Sequence, residues 1–259
     1  MAEAAGHRVR VTSASRAEDG AYLALADIAV ATRASETEYR VIGGHMVTIH
    51  TARHILDVPL RQTRDADLGL EVRTLTESGL PAQLDRFAYR RSGGNRFIRQ
   101  ADGTDLVIDV LIPADTSRVR HNRPVGDLVV DEVPGLRYTL SRPPYIVDLS
   151  AELTSGTVVR CTLKIPDAIA ALCLKAAAFS TRHETRDAVD VWRLLEVLNA
   201  DGMTARAWPA TTTARETAEI LRHDFLGSRS PGLLAATQSA SERVRIRALV
   251  AGVIGNDPG

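Results

Sequence analysis

The period of the apolar residues changes partway along the chain. Residues 17–33 carry Leu23, Ile28 and Ala31 at helical spacing and predict a first helix. A short strand over 39–42 runs into Gly43-Gly44, and 45–54 reads as a second helix opening directly from that glycine pair. An arginine-bearing stretch over 61–64 leads to a predicted strand at 65–72 and a helix at 77–84. Strands follow at 86–91, 96–100 and 106–112, with Ser92-Gly93-Gly94-Asn95 as a hairpin turn between the first two. A polar loop is expected over 113–126. Two or three strands are expected over 136–165, separated by Pro143-Pro144 and Ser155-Gly156. From Pro166 onward the pattern is helical, with helices predicted at 167–180, 184–199, 213–226 and 230–253. The expected fold class is α+β: a mixed β-sheet half with flanking helices over 1–165, then an all-helical half over 166–259.

Composition narrows the class. The 259 residues include 44% hydrophobic and 25% charged side chains, which excludes disordered and fibrous chains, and the length gives ample core. Aromatics are only 4%, so the core must rest on aliphatic residues and alanine. No apolar window is long enough to cross a membrane, and the first residues lack the apolar stretch of a signal peptide, so a soluble, cytoplasmic protein is expected. Cys161 and Cys173 have no metal-ligand spacing and read as buried, inert thiols. Only two lysines, Lys164 and Lys175, stand among 32 basic side chains, a bias typical of GC-rich bacterial genomes. A lysine that survives such a bias is a candidate for a role needing a compact ammonium.

The candidate chemistry is acidic. Asp65 and Asp67, two apart on a predicted strand, share a face. Carboxylates so placed repel unless cations lie between them, and Mg²⁺ takes one or two carboxylates plus phosphate oxygens. Asp109 is a third acid inside the apolar run 106–111, where an ionised group must be paired or metal-bound. The plain alternative is a solvated strand end for Asp65 and Asp67 and a salt bridge to a neighbouring arginine for Asp109. Gly43-Gly44, at a strand-to-helix junction, offers backbone N–H groups that favour anions. His45, His50 and His54 read as surface or core histidines, because no helical glutamate lies between the last two to suit a zinc protease.

Val41-Ile42-Gly43-Gly44, followed by Arg61-Gln62-Thr63-Arg64-Asp65-Ala66-Asp67-Leu68, resembles the nucleotidyltransferase signature of a glycine pair and an acid-x-acid. The R-x-T-x-D-x-D form is similar to one branch, the AbiEii/MenT-like nucleotidyltransferase toxins of bacterial toxin–antitoxin and abortive-infection systems. The segment from Leu174 and Lys175 to Arg182, then Arg186-Asp187-Ala188-Val189-Asp190, resembles the second half of that branch. The gap from Gly44 to Asp65 is long for the broader superfamily, and the third acid varies within it, so Asp109 is placed by strand context alone.

The resemblance implies a metal-dependent enzyme moving a nucleoside monophosphate from a nucleoside triphosphate to an acceptor. Asp65, Asp67 and Asp109 would hold Mg²⁺ or Mn²⁺, and Gly43, Gly44, Arg61, Thr63, Lys175 and Arg182 would bind the nucleotide. Asp187 and Asp190, three apart on a helix, would support catalysis; otherwise they are helix-start charges complementing the dipole. The helical half would complete the cleft. The implied acceptor is RNA, a tRNA 3′ end, and the implied partner a cognate antitoxin protein. In keeping with RNA, residues 86–123 hold Arg86, Arg90, Arg91, Arg96, Arg99, Arg118, Arg120 and Arg123 against Asp102, Asp105, Asp109 and Asp115. Transfer to a small molecule or a protein side chain, or a non-catalytic nucleotide-binding module, are the rival readings.

Overall fold

A computed structural model of the protein describes residues 6–59, 61–101, 103–116 and 120–255. The described residues form two compact units, Met1–Ala52 with Arg61–Asp167, and Arg53–Leu60 with Ala168–Gly259. The first is mixed α and β, and the second is helical, so the chain is α+β.

In chain order the first unit runs β1 (His7–Thr12), α1 (Arg16–Ala34), β2 (Arg40–Ile42), α2 (Gly43–Thr51), β3 (Ala66–Gly69), α3 (Val72–Glu77) and α4 (Leu80–Arg86). It continues with β4 (Arg90–Arg91), β5 (Arg96–Ala101), β6 (Thr104–Pro113), β7 (Arg120–Val125), β8 (Leu128–Val133), α5 (Leu136–Ser141), β9 (Tyr145–Glu152) and β10 (Val158–Ile165). One sheet has three strands in the order β1-β9-β10. The other has seven, with β2-β3-β6-β5-β4 along its path and β8 pairing β6 and β7.

Burial follows the pleat. On β6, Leu106, Ile108, Val110 and Ile112 are fully buried, as are Ala66 and Leu68 on β3. These positions belong to one face, packed with Leu25 and Ile28 of α1 in a single core. Asp67 and Asp109 fall on the opposite face by the same alternation. α1 begins at a capping arrangement, with Ser15 Oγ accepting from the Glu18 amide and the Glu18 carboxylate accepting from the Ala14 amide at 2.7 Å. It lies close over β6 because residue 20 is glycine: a Cβ there would meet the Asp105 carbonyl oxygen at 2.4 Å.

Several elements differ from the sequence reading. β1 carries arginines on its exposed positions and has too few apolar residues to show as a strand. The strand expected at 65–72 stops at Gly69, and Val72 starts α3. The helix expected at 77–84 is displaced, since Gly79, at φ 66°, separates α3 from α4. Arg86 then ends α4 instead of opening a strand. The polar loop expected over 113–126 contains β7, an edge strand whose exposed polar residues and Pro124 hide its alternation. Residues 136–141 form α5 after the left-handed Gly135. Arg118 and Asp102 lie outside the described residues.

The helical unit contains α6 (Ala168–Arg182), α7 (Thr185–Ala200), α8 (Thr212–Phe225), α9 (Pro231–Ala236) and α10 (Ala240–Ile254). The single helix expected at 230–253 is two helices. Thr237 is extended, and Ser239 restarts the chain as an N-cap, its side chain accepting from the Glu242 amide. No helix among the described residues is long and apolar enough to cross a membrane. Cys161 and Cys173 are thiols rather than disulfide partners, and burial pushes the Cys161 thiol up to about 12.

His45, in the first turn of α2, is fully buried, and neither ring nitrogen has a hydrogen-bond partner. Burial, with Arg61's positive charge second, pushes its pKa down from 6.5 to about 3. The folded protein thus keeps this ring neutral where the unfolded chain protonates it, and stability is lost as pH falls from 6.5 toward 3. In urea unfolding between pH 6 and pH 5, wild type is expected to lose about 1.2 kcal/mol more than His45→Phe. Parallel pH dependences for the two proteins would refute a neutral His45.

Candidate active site

Two groups of the residues singled out by sequence are assembled, one in each unit. In the mixed unit the site begins with strand pairing. β3 runs parallel to β6 with Asp67 beside Asp109, and antiparallel to β2 with Asp67 beside Ile42, the residue before Gly43. Asp65 stands immediately before β3. The carboxylates of Asp65, Asp67 and Asp109 each bring an oxygen within 4.8 Å of the others, with Asp109 buried and the other two half-buried. Hard carboxylate donors at this spacing could hold a divalent cation of the Mg²⁺ or Mn²⁺ kind.

The glycine pair joins the same place. Gly43 has φ 68°, and a Cβ on it would lie 1.7 Å from Asp67 Oδ2, so only glycine lets α2 start against that carboxylate. A Cβ on Gly44 would meet Thr63 Oγ1 at 2.6 Å and Arg61 Nε at 2.9 Å. Thr63 in turn donates from Oγ1 to Asp65 Oδ1 at 3.3 Å. Ile42, the N-cap of α2, has no side-chain oxygen with which to cap the first N–H groups of that helix. Gly43, Gly44, Arg61, Thr63 and the three acids are therefore neighbours, with cationic and N–H donors beside a carboxylate cluster.

Arg96 is the member that sequence reasoning counted only as part of a basic stretch. It sits opposite Asp109 in the β5–β6 hairpin. Its Nε and Nη2 donate to the two carboxylate oxygens of Asp109 at 2.8 and 2.6 Å, and Nη2 lies 3.7 Å from Asp65 Oδ2. The hydrogen bonds to Asp109, and then the charges of all three acids, hold the guanidinium still more firmly in its charged form. The salt bridge named as the plain alternative for Asp109 thus exists within the acid cluster. The signal was the hairpin register: counting back from Ala101 and Thr104 puts Arg96 across from Asp109.

The basic segment is largely paired among its described residues. Arg99 bonds Asp27, Arg120 and Arg123 face the buried Glu132, and Arg91 donates to the Asp127 carbonyl oxygen. These pairs use up much of the local positive surplus counted from the sequence.

The helical unit holds the second group. Lys175 on α6 is 6% exposed, and Asp187 and Asp190 on α7 are fully buried. Lys175 Nζ lies 2.9 Å from Asp190 Oδ2 and 3.6 Å from Asp187 Oδ1. Arg182 donates from Nε and Nη2 to Asp187 Oδ2, and Arg193 Nη1 donates to Asp190 Oδ1 at 2.6 Å. Arg193, unremarked in the sequence, is also tied to the Pro59 carbonyl oxygen. Lys175, Arg182 and Arg193 thus face the two buried carboxylates, Lys175 and Arg193 from within the unit and Arg182 from its exposed edge. Of the histidines, His45 lies buried just after the glycine pair, while His50 bonds the Pro166 carbonyl oxygen at 2.8 Å and His54 pairs with Asp201.

No protein-family model matches the chain, and no curated protein matches it. Among solved structures, an antigenic nucleotidyltransferase-like protein from Paracoccidioides brasiliensis is similar to it. The likeness covers 91% of this chain and 94% of that one, at 16% identity and a TM-score of 0.40.

Asp190 separates two cations, so Asp190→Asn, which keeps the shape and removes the charge, is expected to cost about 3–5 kcal/mol in urea unfolding. Adding Lys175→Met to it should recover part of that loss. A change below about 0.5 kcal/mol in the single variant would contradict a buried ionic cluster.

Proposed function

We propose that this protein is a metal-dependent nucleotidyltransferase that moves a nucleoside monophosphate from a nucleoside triphosphate to an acceptor hydroxyl. The observation that carries the proposal is the set of three carboxylates, Asp65, Asp67 and Asp109, gathered beside the glycine-started α2. In the reaction, the acceptor oxygen bonds to the α-phosphorus and the bond to the bridging oxygen of the leaving pyrophosphate breaks. The acceptor proton passes to a carboxylate or to solvent. When bound, a divalent cation supplies charge neutralisation at the attacking and leaving oxygens. Asp65 and Asp67 are assigned to hold it, with Asp109 beside them. The Gly43 and Gly44 amides, Arg61 and Thr63 are assigned to the phosphates, since all present donors at one spot.

Lys175 and Arg182 are assigned a phosphate-binding role in the helical domain, 166–259. The gathering of these cations with Arg193 on two helices supports it, with Asp187 and Asp190 holding the ammonium in place. The finer reading follows the sequence resemblance: an AbiEii/MenT-like toxin whose acceptor is RNA, a tRNA 3′ end, held in check by an antitoxin protein. A small-molecule or protein acceptor is the second reading. It is favoured by the ion pairs that take Arg96, Arg99, Arg120 and Arg123 out of a basic RNA-facing surface.

The test is transfer of label from each α-³²P nucleoside triphosphate with Mg²⁺, offering total tRNA, the protein alone, or a panel of amino-alcohols. Transfer to at least one acceptor is expected with wild type, falling at least about a hundredfold in Asp67→Asn, since even outer-shell changes cost up to that much. Label in tRNA selects the RNA reading, and label elsewhere selects the second. No transfer to any of the three, or equal transfer by the variant, would reject the enzymatic reading.

A further inference from the structure

We infer that Arg96 is a positioning residue of the acid cluster. It clamps Asp109 and leaves the cluster with low affinity for a free divalent cation, so that the cation is taken up chiefly together with the anionic nucleotide. The inference rests on the nucleotidyltransferase reading and names the control of cation entry at that site. β5 places Arg96 directly across from Asp109, and two of its five N–H donors close a planar fork on that carboxylate. The same guanidinium stands 3.7 Å from Asp65. Three carboxylates in one place attract cations strongly. A fixed guanidinium among them offsets one of the three charges and repels a second cation.

A fork differs from a point charge. It occupies both oxygens of Asp109 in a set plane, which a lysine ammonium on a flexible stem cannot do. A nucleoside triphosphate brings negative charge of its own, which counters the guanidinium and restores the attraction for the cation. The arginine thereby favours cation binding with substrate over cation binding without it.

The experiment measures Mn²⁺ binding to the full chain without nucleotide, from the electron paramagnetic resonance signal of free Mn²⁺ at constant ionic strength. Arg96→Gln is expected to bind Mn²⁺ on the order of tenfold more tightly than wild type, the size set by one charge acting on a divalent ion a few ångströms away in a wet site. Arg96→Lys, which keeps the charge and loses the fork, should fall between them. Circular dichroism melts establish that each variant is folded, and the lysine variant carries the test if the glutamine variant is not. Arg96→Gln binding Mn²⁺ no more tightly than wild type would overturn the inference, and Arg96→Lys matching wild type would overturn the clamp. Asp67→Asn separates the two levels. If it abolishes Mn²⁺ binding while Arg96→Gln has no effect, the metal site stands and the role of Arg96 falls. If it leaves Mn²⁺ binding intact, the metal-site reading itself falls.

Discussion

Mutual repulsion among Asp65, Asp67 and Asp109 is the constraint around which the mixed unit is arranged. The pairing of β3 with β6 is set by burial, because Ala66, Leu68, Ile108 and Val110 must all face the core. A one-residue slip of either strand would turn its acid into that core and its aliphatic residues outward. The register that buries the aliphatic positions therefore drives Asp67 and Asp109 together on the other face. Everything placed near them relieves the resulting charge. Arg96 forks onto Asp109, the start of α2 presents the positive end of its dipole beside Asp67, and Arg61 lies against Gly44. A metal ion on the same carboxylates would serve the same electrostatic need.

The helical unit solves a related problem with the opposite sign. Asp187 and Asp190 are fully buried on one face of α7, which is tolerable only because Lys175, Arg182 and Arg193 surround them. Removing charges from water in this way adds little net stability, while losing one partner is costly. Such a cluster fixes where the Lys175 ammonium sits. It is a setting that fits a compact ammonium between two carboxylates, where the lysine is not interchangeable with the arginines that dominate the chain.

Much of this was legible in the sequence. The helical half was clear because α6, α7 and α8 are amphipathic or apolar at helical spacing. The acid cluster was legible because two aspartates two apart at the start of a strand must share a face, and because Asp109 interrupts an apolar run. The gathering of Gly43, Gly44, Arg61 and Thr63 beside those acids followed the expected strand-glycine-helix-strand order. What was hidden depended on partners distant in sequence or on turns. β7 could not be seen because an exposed edge strand needs no alternation, and α5 because a left-handed Gly135 starts a helix too short to show a period. The breaks at Gly79 and Thr237 are set by backbone conformation at single residues. The basic segment misled because charge counting ignores pairing: Glu132 and Asp27 lie outside it and neutralise three of its arginines. Arg96 was within reach through the hairpin register, had Gly103 been read as the turn.

The measurement that bears most directly on the account is the anomalous scattering of crystals grown with Mn²⁺ and a non-hydrolysable nucleoside triphosphate analogue. The expected result is a manganese peak at bonding distance, about 2.0–2.2 Å, from the carboxylates of Asp65 and Asp67, with phosphate oxygens completing its shell. Absence of a peak at those carboxylates, or a nucleotide bound away from Gly43 and Gly44, would contradict a metal-dependent nucleotidyltransferase built on this cluster.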